Sequence, residues 1–381
     1  MKNSLVVADL QVFFIIPLCK RQRKRYNNRE ISSIIGECIV EKIAFRSAVA
    51  VELAGVPKMD YYKIRQLTGR DSESVRSARA DYTPDDVRTL KRALIEGFAA
   101  WQDSDKHVPL VAIRMSKGGV GKSTISTNMA IATAMRGYRV LVIDLDPQAS
   151  TTELFGVDSE SDVRTVVSGV LEGHALKDCV YSMSNEAVLH LMPADQLVAH
   201  FDPKVVAVAH REHLLEKFLE RNRDYIKANY DIIFLDTAPG SSFLNLNALV
   251  ACDLVVAPMS MDGMSQKALK LLRTEIMELK DWLGVDRQVL FVANNYNKSQ
   301  THSRQNLEAM QHGFGDYLAK AVIPANVSVA RQISGGIARP VILSEPNRPA
   351  SLAIHQLTRQ ILRTVGMYGV DPDPVDEEAD E

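Results

Sequence analysis

The sequence predicts an α/β protein built on a mostly parallel sheet with helices on both faces, preceded by a small all-α domain. Three observations carry this prediction. From Val108 onward, short and nearly continuous apolar runs alternate with helical stretches, the pattern of strands covered on both faces. A glycine-rich turn joins the first such run to the first of those helices. The residues before Val108 instead show helical spacing and helix-start signals.

In chain order, Leu5 to Leu18 is apolar but interrupted by Asp9, Gln11 and Pro17, and a basic cluster follows it. A signal peptide places charge before the apolar run, and the run is short for a membrane span, so it reads as a strand, a packing segment or a leader. Residues 31–54 carry apolar side chains near helical spacing until Gly55 and Pro57 break the pattern. Residues 60–67 read as a short helix, Thr68 to Asp71 as a turn and residues 72–80 as a second short helix, the layout of a helix-turn-helix. Thr83-Pro84-Asp85-Asp86 is a helix start: a hydroxyl cap, proline in the first turn and acids at the positive end. Residues 101–107 are polar and read as a linker. Strands are expected at 110–114, 139–144, 188–192, 232–236, 254–257 and 288–293, and helices at 122–136, 210–227, 264–283, 303–318 and 350–365. The domains expected are 1–57 (extension), 58–105 (helix-turn-helix and linker), 106–368 (α/β) and 369–381, a tail with seven acids from Asp371 on and no base, read as disordered.

The 381 residues are 46% hydrophobic and 24% charged, an ordinary globular balance with a net charge of −2. That figure hides an asymmetry. Residues 1–100 hold 18 Lys and Arg against 12 Asp and Glu, a net +6; the rest holds 27 against 35, a net −8. A basic N-terminal part points to an anionic partner, DNA first. The four cysteines are scattered without metal or redox spacing, as in a reduced cytoplasmic protein.

The chemistry lies in Ser116-Lys-Gly-Gly-Val-Gly-Lys-Ser-Thr124. A glycine turn between strand and helix aims backbone N–H groups at one point, and the helix N-terminus adds partial positive charge. Gly118, Gly119, Val120, Gly121 and Thr124 line such a cradle for a nucleoside triphosphate. Lys122 reaches the outer phosphates and Ser123 takes Mg²⁺. Ser116 stands where the general motif has glycine, and a second lysine, Lys117, follows it. Asp144 and Asp146 end one apolar run, Asp236 ends another and Asn294 a third. Carboxylates at strand ends can hold Mg²⁺ through its water shell, and one can orient a water for phosphoryl transfer.

These segments resemble the ParA/MinD family of deviant Walker A ATPases. The likeness runs over roughly 108–365 and includes Asp144-Leu-Asp-Pro-Gln148, Ile232 to Pro239, Leu246 to Leu249, Asn294 to Asn297, Ile323-Pro324 and Gly336 with Arg339-Pro340-Val341. The resemblance implies a sandwich dimer around ATP and Mg²⁺, with Lys117 crossing to the other subunit's nucleotide. Lys122 and Ser123 hold phosphate and metal, Asp146 positions the water, Asp144 and Asp236 serve the metal, and Asn294 lies near the base. Two positions depart from the family: Asn297 replaces an Asp, and Ser299 lies where a DNA-contacting Arg is often found. Lys298 and Arg304 are the nearby substitutes for binding non-specific DNA. A preceding helix-turn-helix is similar to the larger plasmid partition ParA proteins, which also repress their own operon. Arg70, Ser72, Ser74, Arg76 and Arg79 are then candidates for operator contacts. The resemblance implies a cytoplasmic, nucleoid-associated ATP hydrolase, stimulated by a ParB-like centromere-binding protein. An ATP-liganded repressor with little turnover is the alternative. A membrane-binding branch is disfavoured, because the C-terminus is acidic where that branch needs a basic amphipathic helix.

Overall fold

The computed structural model describes residues 43, 46–56, 61–69, 82–184, 187–262, 266–325 and 340–370. The operator candidates Arg70, Ser72, Ser74, Arg76 and Arg79 lie outside these residues, as do Gly336, Arg339 and the acidic tail. Among the described residues the chain begins with α1 (Ser47–Ala54), α2 (Tyr61–Leu67), α3 (Pro84–Leu94) and α4 (Phe98–Asp103). The α/β part then runs β1 (Leu110–Ile113), α5 (Lys122–Met135), β2 (Val140–Asp144), α6 (Ser150–Leu154), α7 (Val166–Val170), β3 (Tyr181–Ser182), β4 (Leu189–Met192), α8 (Phe201–Val205), α9 (Leu214–Arg221), α10 (Arg223–Asn229) and β5 (Ile232–Asp236). It closes with α11 (Phe243–Ala251), β6 (Leu254–Ser260), α12 (Gln266–Leu283), β7 (Gln288–Tyr296), α13 (Thr301–Phe314), β8 (Leu318–Pro324), α14 (Val341–Ser344) and α15 (Pro349–Thr364).

The sheet order is β3-β4-β2-β5-β1-β6-β7-β8, with every neighbouring pair parallel except the short β3 against β4. Because strand side chains alternate, each central strand feeds two cores. Val111, Ile113, Val140, Val142, Ile232 and Phe234 pack on one face with α5 and α15, while Ala112, Leu141, Ile143, Ile233 and Leu235 pack on the other with α9 and α11. The same alternation carries Asp144 and Asp236 to the α5 face, at the C-terminal ends of adjacent strands, where they are register partners. From Ile125 to Met135 every residue of α5 is buried, which explains its apolar and small composition. The loop before α5 leaves β1 at the centre of the sheet, the place where parallel sheets bind ligands.

The described helices of the N-terminal part pack against the α/β part. Thr83 caps α3 in a reciprocal box with Asp86, and Pro84 stands in the first turn, as read. The segment 101–107, read as a linker, begins within the last turn of α4, and Trp101 packs in an aromatic cluster with Phe98, Tyr138 and Tyr368. Buried Lys91 lies 4.1 Å from the Tyr138 ring centroid and donates to the Gly369 carbonyl at 2.6 Å. Buried Asp231 accepts from Gln102 and pairs with Lys106 and Arg139. A Cβ at Gly137 would meet the Arg88 backbone at 2.6 Å, so α3 approaches the end of α5 closely. These helices therefore share the core of the α/β part. Two further differences concern elements. Residues 210–227 form a short 3₁₀ turn, α9 and α10 rather than one helix, because Asn222 breaks the run and its side chain accepts from Leu176 N–H. Residues 318–324 form β8, where the expected helix ran on to Leu318.

Candidate nucleotide site

The site begins where β1 ends. Gly119 and Gly121 adopt left-handed backbone (φ +72° and +91°), which only glycine takes without strain, and they turn the chain into α5. No side chain caps α5, so its first N–H groups remain available to a ligand. A Cβ at Gly121 would sit 2.5 Å from Asn294 Nδ2, and that amide donates to the Val120 carbonyl at 2.8 Å. Asn294 thus braces the loop from β7.

The two loop lysines occupy opposite environments. Lys117, Gly118 and Gly119 are exposed, whereas Val120 and Lys122 are buried, and Ser123 and Thr124 lie half-buried at the helix start. Burial pushes the Lys122 ammonium below its usual range, against the opposing pull of Asp236 and Asp146. Asp236 is fully buried. Burial raises its carboxyl to about 6, opposed by hydrogen bonds from the Ser123 and Thr151 hydroxyls. Thr151 Oγ1 donates to Asp236 Oδ2 at 2.7 Å, while Oδ1 has no partner. Asp144 beside it is driven well above the ordinary range by burial and by the Asp236 charge. Both of its oxygens are engaged: Oδ1 accepts from Asp146 N–H at 3.1 Å, and Oδ2 accepts from Thr152 N–H and Oγ1 at 2.9 and 2.8 Å. Asp146 is buried at the mouth of the same turn and accepts from Gln148 N–H at 2.9 Å.

The arrangement therefore joins one unpartnered buried carboxylate oxygen, one buried lysine, an uncapped helix start and a glycine cradle. It offers donors and positive charge to phosphate oxygens and a hydroxyl–carboxylate pair to a hard cation. Among the described residues no group of three or more His, Cys, Asp or Glu forms a metal cage, so a cation here would share its shell with phosphate and water. The two described cysteines, Cys179 and Cys252, are buried, and burial pushes their thiols up to about 11 and about 12.

Lys298 and Arg304 are exposed and adjacent: Arg304 Nη1 donates to the Lys298 carbonyl at 2.8 Å. Sequence reading missed Thr151 and Thr152, which follow Asp146 without any motif, and Arg114, which directly follows the apolar run ending at Ile113. An Asp with hydroxyls a few residues downstream was the available signal for the threonines.

A family model described as an AAA domain matches residues 108–288. The cell division protein PomZ of Myxococcus xanthus is 30% identical over 75% of this chain and 86% of its own length. The chromosome-partitioning ATPase Soj of Thermus thermophilus is 30% identical over 67% of this chain and 96% of its own. Among solved structures, a putative plasmid partition protein from Borrelia burgdorferi bound to AMPPNP superposes with a TM-score of 0.56 at 20% identity, over 68% of this chain and all of that one.

Proposed function

The chain belongs to the ParA/MinD family of deviant Walker A ATPases, and on that premise we propose that it is a DNA-partition ATPase. It binds ATP with Mg²⁺, pairs with a second copy in that state, and then binds DNA without sequence preference. A ParB-like centromere-binding protein stimulates hydrolysis and resets the cycle. The N-terminal residues 58–105 bind an operator and repress the chain's own operon. The protein works on the nucleoid in the cytoplasm; among the described residues no helix is long and apolar enough to cross a membrane.

The observation that carries this reading is the unpartnered Asp236 Oδ1, buried beside Lys122 and the uncapped start of α5. An orphaned buried acceptor costs stability, and a cation at that point removes the cost. Bound Mg²⁺ would supply positive charge to the phosphate oxygens. Ser123 and Asp236 would hold it. Asp144, whose oxygens are both engaged, supports the turn that carries Asp146 rather than the ion directly. Asp146 orients the attacking water, Lys122 holds the outer phosphates, and Asn294 keeps the loop in shape near the base. Lys117 is exposed where Lys122 is buried, and in this reading it crosses to the second subunit's nucleotide. Lys298 and Arg304 contribute to non-specific DNA contact.

The test is ATP turnover by the full chain with Mg²⁺, alone, with mixed-sequence duplex DNA, and with a ParB-like centromere-binding protein. The expected result is turnover that rises with both together. DNA binding should require ATP and weaken with salt on a log–log slope of about −0.9 per phosphate neutralised. DNA binding indifferent to nucleotide, with turnover that neither addition raises, would overturn the partition reading and favour the repressor.

A further inference from the structure

The loop leaving β5 is fastened by an ion pair between a buried arginine and a half-buried glutamate that the nucleotide motifs do not include. Arg114 directly follows β1, and its side chain is fully buried. Its Nη2 donates to the Gly240 carbonyl at 2.6 Å and to both oxygens of Glu275, on α12, at 2.8 and 2.9 Å. Ser241 Oγ donates to Glu275 Oε1 at 2.9 Å. Gly240 N–H donates to the Ser116 carbonyl at 2.9 Å, and Pro239 lies against Gly118, where an added Cβ would come to 4.0 Å. Residues 239–241 are therefore tied to the Lys117 side of the glycine loop and, through Arg114 and Glu275, to the end of β1 and to α12.

This fastening is a poor way to gain stability. Desolvating a guanidinium and a carboxylate offsets most of their attraction, and two apolar side chains would fill the space at lower cost. Arg114 Nε and Nη1 also lack partners, an added penalty. What the guanidinium supplies and an apolar pair does not is direction, since the Nη2 amino group bonds the Gly240 carbonyl and the Glu275 carboxylate at once. Here it fixes a loop that starts from Asp236 and lies over the glycine cradle.

We propose that Arg114 and Glu275 are positioning residues for hydrolysis, holding Pro239 to Ser241 against the Lys117 side of the loop. The proposal rests on the ATPase reading above. The cradle N–H groups, Lys122 and the start of α5 do not depend on the pair, so nucleotide affinity survives its loss. The segment 239–241 is held by the pair together with Asn245 Nδ2, which donates to the Gly240 carbonyl at 3.0 Å; in the ATPase reading it walls the reacting phosphate, where a displacement of about 1 Å costs on the order of a hundredfold in rate.

Two variants test this: Arg114→Met with Glu275→Leu, which removes both charges and fills the space, and Ser241→Ala, which deletes one exposed anchor. Three quantities are measured: equilibrium binding of a fluorescent non-hydrolysable ATP analogue, steady-state ATP turnover, and amide exchange of residues 238–242 in nucleotide-free protein. The double variant should lose about 10- to 100-fold in turnover, bind the analogue within about threefold of wild type, and exchange the Gly240 amide at least about tenfold faster. Ser241→Ala should lose turnover severalfold at an unchanged melting temperature, and it decides the matter alone if the double variant does not fold. Unchanged turnover and exchange, or equal losses in affinity and turnover, overturn the positioning role. Failure of the wild-type chain to bind the analogue overturns the ATPase reading instead.

Discussion

Asp236→Asn should make the nucleotide-free protein more stable while abolishing its turnover. Asp236 is fully buried, and its carboxyl rises from 3.8 to about 6. Each pH unit of such a rise corresponds to 1.36 kcal/mol, so ionising Asp236 costs the folded chain about 3 kcal/mol at neutral pH. The sign follows from the raised value. The carboxyl is protonated and the cost absent well below 3.8; the cost grows as pH climbs toward 6 and is complete above it. At pH 4.5 about a third remains. Asparagine keeps an oxygen for Thr151 Oγ1 and places its amide where Oδ1 has no partner. That unsatisfied donor takes back about 1 kcal/mol. Neutralising the site also relieves Asp144, which the Asp236 charge pushes upward. The expected gain is therefore about 1–3 kcal/mol at pH 7.5, or about 2–6 °C in melting temperature for a chain of this size, shrinking to under about 1 kcal/mol at pH 4.5. Urea unfolding of both proteins in EDTA, followed by circular dichroism at the two pH values, measures it. A variant less stable than wild type at pH 7.5, or a gain equal at both pH values, refutes the reasoning.

Three further outcomes are expected. Gly121→Ala should lose about 2 kcal/mol or more, because φ is +91° and the new Cβ meets Asn294 Nδ2 at 2.5 Å; an unaltered urea midpoint contradicts this. Lys91→Ala should cost about 2–4 kcal/mol by opening a cavity among Phe98, Tyr138 and the Gly369 carbonyl, and a change under about 0.5 kcal/mol in chemical denaturation means the helical part is not held there. Asp146→Ala should keep ATP binding but slow hydrolysis by about 10²- to 10⁴-fold, since its carboxylate orients the water in our reading; single-turnover rates near wild type would reassign that role.

The central strands were legible because β1, β2 and β5 are covered on both faces and their sequences are accordingly apolar throughout. The glycine loop was legible because its backbone conformation admits few residues. The less visible parts depend on tertiary partners. Asp144 and Asp236 look alike as acids ending apolar runs, yet Thr152 and the Asp146 backbone saturate one and leave the other with a bare oxygen. The break at Asn222 comes from a bond to Leu176, distant in sequence. Residues 101–107 are polar, but Gln102 and Lys106 spend their polarity on buried Asp231, so the segment packs where composition suggested a tether. Arg114, at the end of the first apolar run, gave no signal because Glu275, its counter-charge, lies far along the chain.

In our reading the cradle between β1 and α5 takes a magnesium-bound nucleoside triphosphate through Lys122 and Asp236. Calorimetric titration of AMPPNP with Mg²⁺ into the wild-type chain and into Lys122→Ala tests it most directly. Saturable binding at one site per chain is expected, raising stability by about 2.7 kcal/mol at a hundred times Kd, with affinity at least about a hundredfold weaker in the variant. Equal heats and equal melting temperatures for the two proteins would contradict it.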